Sequence, residues 1–459
     1  MTDTIFALST APGVAGVAVF RVSGPRAAAA IEALAGRVPI PRRASLQSLR
    51  DPGEGPGKGA EIDRALVLWF PAPQSFTGED VVELHVHGGR SVVAGVVAAL
   101  SRIDGLRTAE AGEFTRRAFD NGKLDLSEVE GLADLIAAET EAQRRQALRQ
   151  MDGALSRVSE AWKQRLLRVL AHMEAIIDFP DEALPETTVN EIESNISGLI
   201  GEISLYLDDG GVGERLRDGL TVAIVGAPNA GKSSLLNALA QRDAAIVSEL
   251  AGTTRDVVEV HLDLDGLPVT LADTAGLREL GDSVEVAIEV EGIRRALAKA
   301  KAADLKMAVF DLTEWPNLDP ATLGLVDDAT IVVFNKTDIS PLPAPAELSL
   351  VAAFKNIEIV AVSARGSSGI SGLISSLKGK AAVRLGNAGE APLITRERHR
   401  EAFSDCLDAL RRGQAAEISD VELVAEDLRL AMRALGRIAG RVDVEDLLDV
   451  VFRDFCIGK

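Results

Sequence analysis

The octapeptide Gly226-Ala227-Pro228-Asn229-Ala230-Gly231-Lys232-Ser233 places two glycines five positions apart, followed by a lysine and a hydroxyl. That spacing lets backbone N–H groups close around phosphates, brings an ammonium to the β- and γ-phosphates, and aims the Ser233 hydroxyl at a magnesium ion. Asn229, Ala230, Gly231, Lys232, Ser233 and Ser234 are therefore expected to hold the phosphates. Three further pieces follow in order. Asp273-Thr274-Ala275-Gly276 offers an acidic residue to Mg²⁺ through water and a glycine N–H to the γ-phosphate. Asn335-Lys336-Thr337-Asp338 supplies a carboxylate that can accept from both guanine N1–H and the N2 amine, which adenine cannot reciprocate. Ser363-Ala364-Arg365 is placed to meet guanine O6 through backbone N–H groups. The set predicts GTP rather than ATP.

Between the first two pieces lies Gly252-Thr253-Thr254-Arg255-Asp256, where a switch loop is expected. Thr254 there would complete Mg²⁺ coordination when a γ-phosphate is present. Leu277 follows the Asp-Thr-Ala-Gly segment, where a water-orienting glutamine would stand in many small GTPases. With no arginine finger evident in the phosphate loop, a cation must offset the developing charge. Asn229, with Ser248, Leu250 and Thr253, could surround a monovalent ion with oxygens.

These motifs need strands to present them. Apolar runs predict strands at Thr221–Val225, Val269–Ala272 and Thr330–Phe334, each ending at a motif, and a helix from Ser234 to Ala240. Upstream, residues 1–123 read as mixed α/β, with strands at Val17–Val22, Ala65–Phe70 and Val81–His87 and a helix from Ser91 towards Leu100. From Leu124 the spacing turns helical. Val129, Leu132, Leu135 and Ile136 make one stripe; Trp162, Leu166, Val169, Leu170, Met173 and Ile177 make a second, ended by Phe179-Pro180-Asp181. Ile192–Leu207, Arg396–Arg412, Val421–Ile438 and Glu445–Phe455 continue the pattern. Linkers are expected at Asp208–Gly211 and Gly386–Pro392. The expected architecture is α/β and α: an N-terminal α/β domain (1–123), a discontinuous helical bundle (124–215 and 381–459), and an inserted Ras-like P-loop G domain (216–380).

Composition narrows the class. The formal net charge is −20, which opposes nucleic-acid binding through the overall field. Residues 1–123 carry 14 Lys/Arg against 13 Asp/Glu, so the acidity lies downstream. No apolar run reaches membrane-spanning length, and Met1–Thr10 does not resemble a signal peptide, so a cytoplasmic protein is expected. Two cysteines, Cys406 and Cys456, are too few for a disulfide framework.

The order of the nucleotide motifs resembles the Era-like GTPases, and the flanks extend the resemblance to the whole chain. Ser75-Phe76-Thr77-Gly78-Glu79-Asp80 with Glu83-Leu84-His85-Val86-His87-Gly88-Gly89, then Gly112-Glu113-Phe114-Thr115-Arg116-Arg117-Ala118-Phe119, and the terminal Phe455-Cys456-Ile457-Gly458-Lys459 are similar to the tRNA-modification GTPase MnmE (TrmE) family. The resemblance implies a homodimer joined through a folate-binding-like N-terminal domain and a flavoprotein partner, MnmG (GidA), in a heterotetramer. It further implies addition of a carboxymethylaminomethyl-type group to C5 of the tRNA wobble uridine, with the one-carbon unit from a tetrahydrofolate derivative. Arg21, Glu83, Lys123 and Lys459 would contact the folate; K⁺ would bind at Asn229, Ser248, Leu250 and Thr253 and drive G-domain dimerisation and hydrolysis. Cys456 would be a candidate redox residue.

The family's water-polarising glutamate falls on two positions. Counting forward from Gly276 reaches Glu285, whereas counting back from Gly292-Ile293-Arg294-Arg295-Ala296 reaches Glu289, the longer match. On a helix the two would share a face one turn apart. His85 and His87 share a strand face but lack a third metal ligand. Two other readings compete: a ribosome-assembly G protein, which would need a basic RNA-binding module that the acidic segment 401–459 does not supply, and a freestanding folate-dependent aminomethyltransferase regulated by GTP.

Overall fold

The computed structural model describes residues 3–178, 186–241, 245–246, 259–273, 298, 300–386, 393–416, 420–440, 451–452, 455 and 458. The chain packs as two compact units, Met1–Ala133 with Gln150–Ser197 and Asp405–Lys459, and Asp134–Arg149 with Gly198–Ser404.

The first unit opens with a six-stranded sheet. Its strands are β1 (Thr4–Leu8), β2 (Ala15–Ser23), β3 (Ser45–Arg50), β4 (Glu61–Phe70), β5 (Val81–Gly88) and β6 (Leu106–Thr108), ordered β3-β4-β5-β2-β1-β6. All neighbours are antiparallel except β1 and β6. Helices α1 (Ala27–Ala35) and α2 (Arg90–Ser101) accompany it. Alternation decides what each face carries. Phe20, Val22, Val67, Trp69, Val82, Leu84 and Val86 share a core with Ile31, Leu34, Val96 and Leu100 of the helices. The residues between them, Arg21, Glu83 and His85, therefore stand on the opposite face. The three strands expected here are present, each somewhat longer than its apolar run.

Helix α3 (Glu113–Asp120) is attached by charge. The Arg117 side chain is 1 % exposed, and its guanidinium lies 3.0 Å from Asp3, Glu79 and Glu113 carboxylate oxygens. Arg107 also holds Glu113, through Oε1 at 2.5 Å. Burial pushes the Glu113 carboxyl up, but Arg107, the Glu110 amide and Arg117 together hold it below the ordinary glutamate value. A carboxyl depressed on folding contributes stability that is full above the unfolded value of about 4.3 and is lost as pH falls through the folded value. The urea midpoint of this unit should therefore hold steady from pH 7 to about 5 and then fall. In Glu113→Gln the midpoint at pH 7 should drop and the acid limb flatten; an unchanged acid limb would refute the assignment.

After the sheet come α4 (Leu126–Ala137), α5 (Glu141–Met151), α6 (Ala154–Asp178) and α7 (Glu186–Leu207). On α6, Trp162, Leu166, Val169 and Met173 are buried at steps of four, three and four. The helix Val421–Ile438 repeats that spacing with Val424, Leu428, Ala431 and Leu435, and the two pack together. A bundle assembled from both sides of an insertion, as the stripes predicted, is thus present. The helix expected at Glu445–Phe455 lies outside the described residues except for helical Val451–Phe452 and the isolated Phe455.

The second unit contains helices α8 (Val212–Asp218) and α9 (Lys232–Ala240) and a seven-stranded sheet: β7 (Leu220–Gly226), β8 (Ala245–Ile246), β9 (Glu259–Leu264), β10 (Leu267–Asp273), β11 (Leu305–Asp311), β12 (Thr330–Asn335) and β13 (Glu358–Ala361). The order is β13-β12-β11-β7-β10-β9-β8, with β7 between β11 and β10. Only the pairs involving β9 are antiparallel. Helices cover both faces, so the central parallel strands β7, β11 and β12 are almost wholly apolar. Val222, Ile224, Ile331 and Val333 join Leu235, Ile370 and Leu373 on one side, while Ala223, Val225, Val332 and Phe334 join Leu348 and Phe354 on the other.

Candidate functional site

β7 ends at the phosphate-loop motif, at the carboxyl edge of the parallel strands, where doubly wound sheets bind ligands. Asn229 takes φ 64° and Gly231 φ 92°, turning successive backbone amides towards one side before α9 begins at Lys232. Such a concavity, backed by a helix N-terminus, accepts an anion. An L side chain at 231 would be strained by that φ and would collide with the Asn335 amide. Lys232 is 9 % exposed, and its Nζ donates to the loop's own Gly226 and Ala227 carbonyls, both at 2.9 Å. Ser233 and Ser234 occupy the first turn of α9.

The base-recognition motifs close on the same loop. Asn335, 3 % exposed at the end of β12, donates from Nδ2 to the Ala230 carbonyl at 2.9 Å. Its Oδ1 accepts from the Lys336 amide at 2.8 Å and the Ala364 amide at 3.0 Å. One carboxamide thus rivets the phosphate loop, the Asn-Lys-Thr-Asp turn and the Ser-Ala-Arg loop. Ser363 Oγ donates to Asp338 Oδ1 at 2.7 Å and accepts from the Gly366 amide at 2.9 Å. That hydroxyl is the leading cause holding the Asp338 carboxyl below its ordinary value, so an acceptor faces the solvent where a guanine would lie. Lys336, at φ 68°, extends its ammonium to within 2.5 Å of Asp311 Oδ2. Asp311 went unnoticed in the sequence because an aspartate ending an apolar strand carries no motif.

Asp273 closes β10 directly beside β7, opposite Ile224 in the parallel register. Ser248, Leu250, Thr253, Thr254, Thr274, Ala275, Gly276, Leu277, Glu285 and Glu289 lie outside the described residues, as do Cys456 and Lys459. The described cysteine, Cys406, is buried, and burial with Asp405 nearby pushes its thiol up to about 12.

A second constellation occupies the face of the six-stranded sheet away from α1 and α2. Arg21 on β2 and Glu83 on β5 are register partners and form an ion pair at 3.0 Å. The guanidinium lies over two rings, 5.2 Å from the Phe76 centroid and 5.7 Å from that of Phe114. His85 Nε2 is 3.5 Å from Glu83 Oε2, while His87 pairs with Asp63 at 2.8 Å. Among the described residues no three His, Cys, Asp or Glu side chains could share a metal ion. Lys123 donates to the Pro73 carbonyl at 3.2 Å, and Asn121 to that of Thr77 at 2.7 Å, so both hold the turn that carries Phe76. Gly458 is fastened to the end of β1, where Ser9 Oγ donates to its carbonyl at 2.9 Å. Arg21 and Glu83 are thus joined directly, and Lys123 is held at the turn whose Phe76 lies against Arg21. A charged, aromatic-roofed face of this kind suits a ligand with a flat ring and hydrogen-bonding edges.

Known proteins share these sequences. The family described as the GTP-binding protein TrmE N-terminus matches residues 4–123, and that described as the MnmE helical domain matches residues 126–456. A "tRNA modification GTPase MnmE" from Parvibaculum lavamentivorans is 57 % identical over 463 residues, and one from Paramagnetospirillum magneticum is 53 % identical over 460; both alignments cover 100 % of each chain. The G domain of the FeoB iron transporter of T. maritima is 26 % identical, with the match covering 36 % of this chain and 99 % of that one at a TM-score of 0.26. With family matches over both flanks and full-length relatives above half identity, the chain belongs to the MnmE family of tRNA modification GTPases.

Proposed function

We propose that this chain is the GTP-hydrolysing component of a complex that modifies C5 of the wobble uridine in tRNA. The observation that carries the reading is the single buried carboxamide of Asn335, which ties a phosphate loop to a guanine-selective turn in a chain of this family. Lys232 would exchange the Gly226 and Ala227 carbonyls for phosphate oxygens. Ser233, with Thr254, would hold Mg²⁺; Asp273 would reach it through water. When bound, that ion neutralises charge on the β- and γ-phosphates. Asn229, in left-handed backbone at φ 64° within the phosphate loop, would serve K⁺ with Ser248, Leu250 and Thr253. Thr274, Ala275 and Gly276 would meet the γ-phosphate, and Glu289 or Glu285 would polarise the attacking water. Asp338, Lys336, Ser363, Ala364 and Arg365 would enclose the base.

Arg21, Glu83, Lys123 and Lys459 would hold a tetrahydrofolate derivative as one-carbon source, and an MnmG-type flavoprotein would supply the redox step. Leu46, Leu66, His85 and Val19 form one cross-strand row on that same sheet face, with Leu46 69 % and Leu66 39 % exposed. Such exposed apolar side chains favour a homodimer through residues 1–123. The division into 1–123, a helical domain of 124–215 with 381–459, and a G domain of 216–380 belongs to this proposal, as does a cytoplasmic location. Mass spectrometry of wobble uridines provides the test. In a strain lacking this chain the carboxymethylaminomethyl-type group should disappear. The wild-type chain should restore it and Lys232→Ala should not; persistence of the group in the deletion strain or full rescue by Lys232→Ala would contradict the proposal.

A further inference from the structure

The hairpin of β9 and β10 occupies a particular place in the sequence. β9 starts at Glu259, just after the Gly252–Asp256 segment, and β10 ends at Asp273, where Asp-Thr-Ala-Gly begins. Each of its outer ends is therefore continuous with a segment assigned to the γ-phosphate. Its turn, Asp265-Gly266, points the other way along the strands, and a helix from more than a hundred residues upstream grips it.

That helix is α5. It starts with a reciprocal cap: Gln143 Oε1 accepts from the Glu139 and Thr140 amides at 3.0 and 3.1 Å, and the Gln143 amide donates to Thr140 Oγ1 at 3.4 Å. The Ala142 amide, one of the helix-start donors that no intrahelical carbonyl can satisfy, donates to the Gly266 carbonyl at 3.3 Å. Glu139 Oε2 lies 3.2 Å from His261 Nδ1 on β9. The same short segment reaches the approach to the phosphate-loop strand, since Gln143 Nε2 donates to the Arg217 carbonyl at 2.9 Å and the buried Gln146 to that of Gly213 at 3.1 Å. Ala142 packs against the core that contains Val222 and Ile224 of β7. Residues 134–149 belong to the nucleotide unit, yet α5 runs on to Met151, inside the other.

We infer that residues 139–146 are a latch on the hairpin, engaged differently in the GDP and GTP states, through which α5 carries the identity of the nucleotide out of the nucleotide unit. The inference rests on the GTP-binding reading above. An antiparallel hairpin anchored at both outer ends to phosphate-sensing segments can shift along its length when those segments rearrange. The latch holds it by one long backbone hydrogen bond and one half-exposed Glu–His contact, so the grip can be released without disturbing the core.

Hydrogen exchange on the full chain tests this, with GDP and with a non-hydrolysable GTP analogue at saturation. The Ala142 amide should exchange at rates differing at least fivefold between the two states, together with amides of the 259–273 hairpin. Equal protection of Ala142 in both states overturns the latch. Linkage supplies a second readout, because a contact favouring one state must bias the affinities for the two nucleotides unequally. Glu139→Gln should change the ratio of analogue to GDP affinity at least threefold. A ratio equal to wild type, with both affinities lowered alike or neither altered, identifies a merely structural contact and overturns the proposal. Absence of saturable binding by either nucleotide would instead overturn the GTP reading and the latch with it.

Discussion

Replacing Gly231 by alanine should cost the chain its nucleotide while leaving it folded. The left-handed φ of 92° imposes about 1–2 kcal/mol on an L residue. The added methyl also drives into the Asn335 carboxamide, which must give up its bond to the Ala230 carbonyl. Leaving those buried polar groups unpaired costs about 1–3 kcal/mol more. Neither cost can be escaped by a flexible side chain swinging away, because Asn335 is also held by the Lys336 and Ala364 amides. Together they correspond to a loss of affinity for GDP and GTP of ~100-fold, read by titration with a fluorescent guanine nucleotide. Circular dichroism should remain near wild type, since the sheet core on either side of β7 is untouched. Affinity within threefold of wild type would mean that the loop adopts another conformation when it binds.

The second large effect is on stability. Arg117→Met removes the buried cation that faces Asp3, Glu79 and Glu113; Arg107 still pairs with Asp3 and Glu113, but the largely buried Glu79 loses its cation. Removing one partner from a fully buried ion pair typically costs about 3–5 kcal/mol; with Arg107 still holding Asp3 and Glu113, the cost here falls mainly on Glu79 and towards the lower end of that range. The helix α3 and β1 are the elements this side chain joins, so the loss should fall on the N-terminal sheet. Trp69, buried in that sheet's core, reports on it once Trp162 and Trp315 are replaced by phenylalanine. Urea unfolding followed at Trp69 should move to a markedly lower midpoint in Arg117→Met and less so in Arg117→Lys, which retains charge but not the planar fork. A midpoint shift worth less than 1 kcal/mol would show that the cluster is dispensable.

Much of this could be read from the residues, and the reasons are local. The phosphate loop, the Asn-Lys-Thr-Asp turn and the Ser-Ala-Arg loop announce themselves because phosphate and guanine demand fixed spacings along the chain. The strands β7 and β12 follow from runs such as Thr330–Phe334, and α6 and the helix Val421–Ile438 from their apolar stripes. What escaped depends on contacts between distant residues. Arg117 looks like a surface cation within Thr115-Arg116-Arg117, and only the fold brings it to Asp3 and Glu79. The cap that Thr140 and Gln143 form was missed too, and nothing nearby in sequence names Gly266 as the partner of the Ala142 amide. Arg21 and Glu83 were drawn in by resemblance; their ion pair follows from the β2–β5 register, which alternation alone does not set.

The pairing of α6 with the helix Val421–Ile438 also imposes a timetable on synthesis. Ribosomes deliver residues one way, at roughly 5–20 per second. Trp162, Leu166, Val169 and Met173 leave the exit tunnel long before Val424, Leu428, Ala431 and Leu435 are made, an interval on the order of ten to fifty seconds. Throughout it the nucleotide unit can finish folding, while the stripe on α6 waits without the surface that covers it. The nascent chain is thus a client for chaperones during the middle of its own translation. A ribosome that stalls after the insert but before Val421 leaves behind a complete nucleotide unit carrying an uncovered stem.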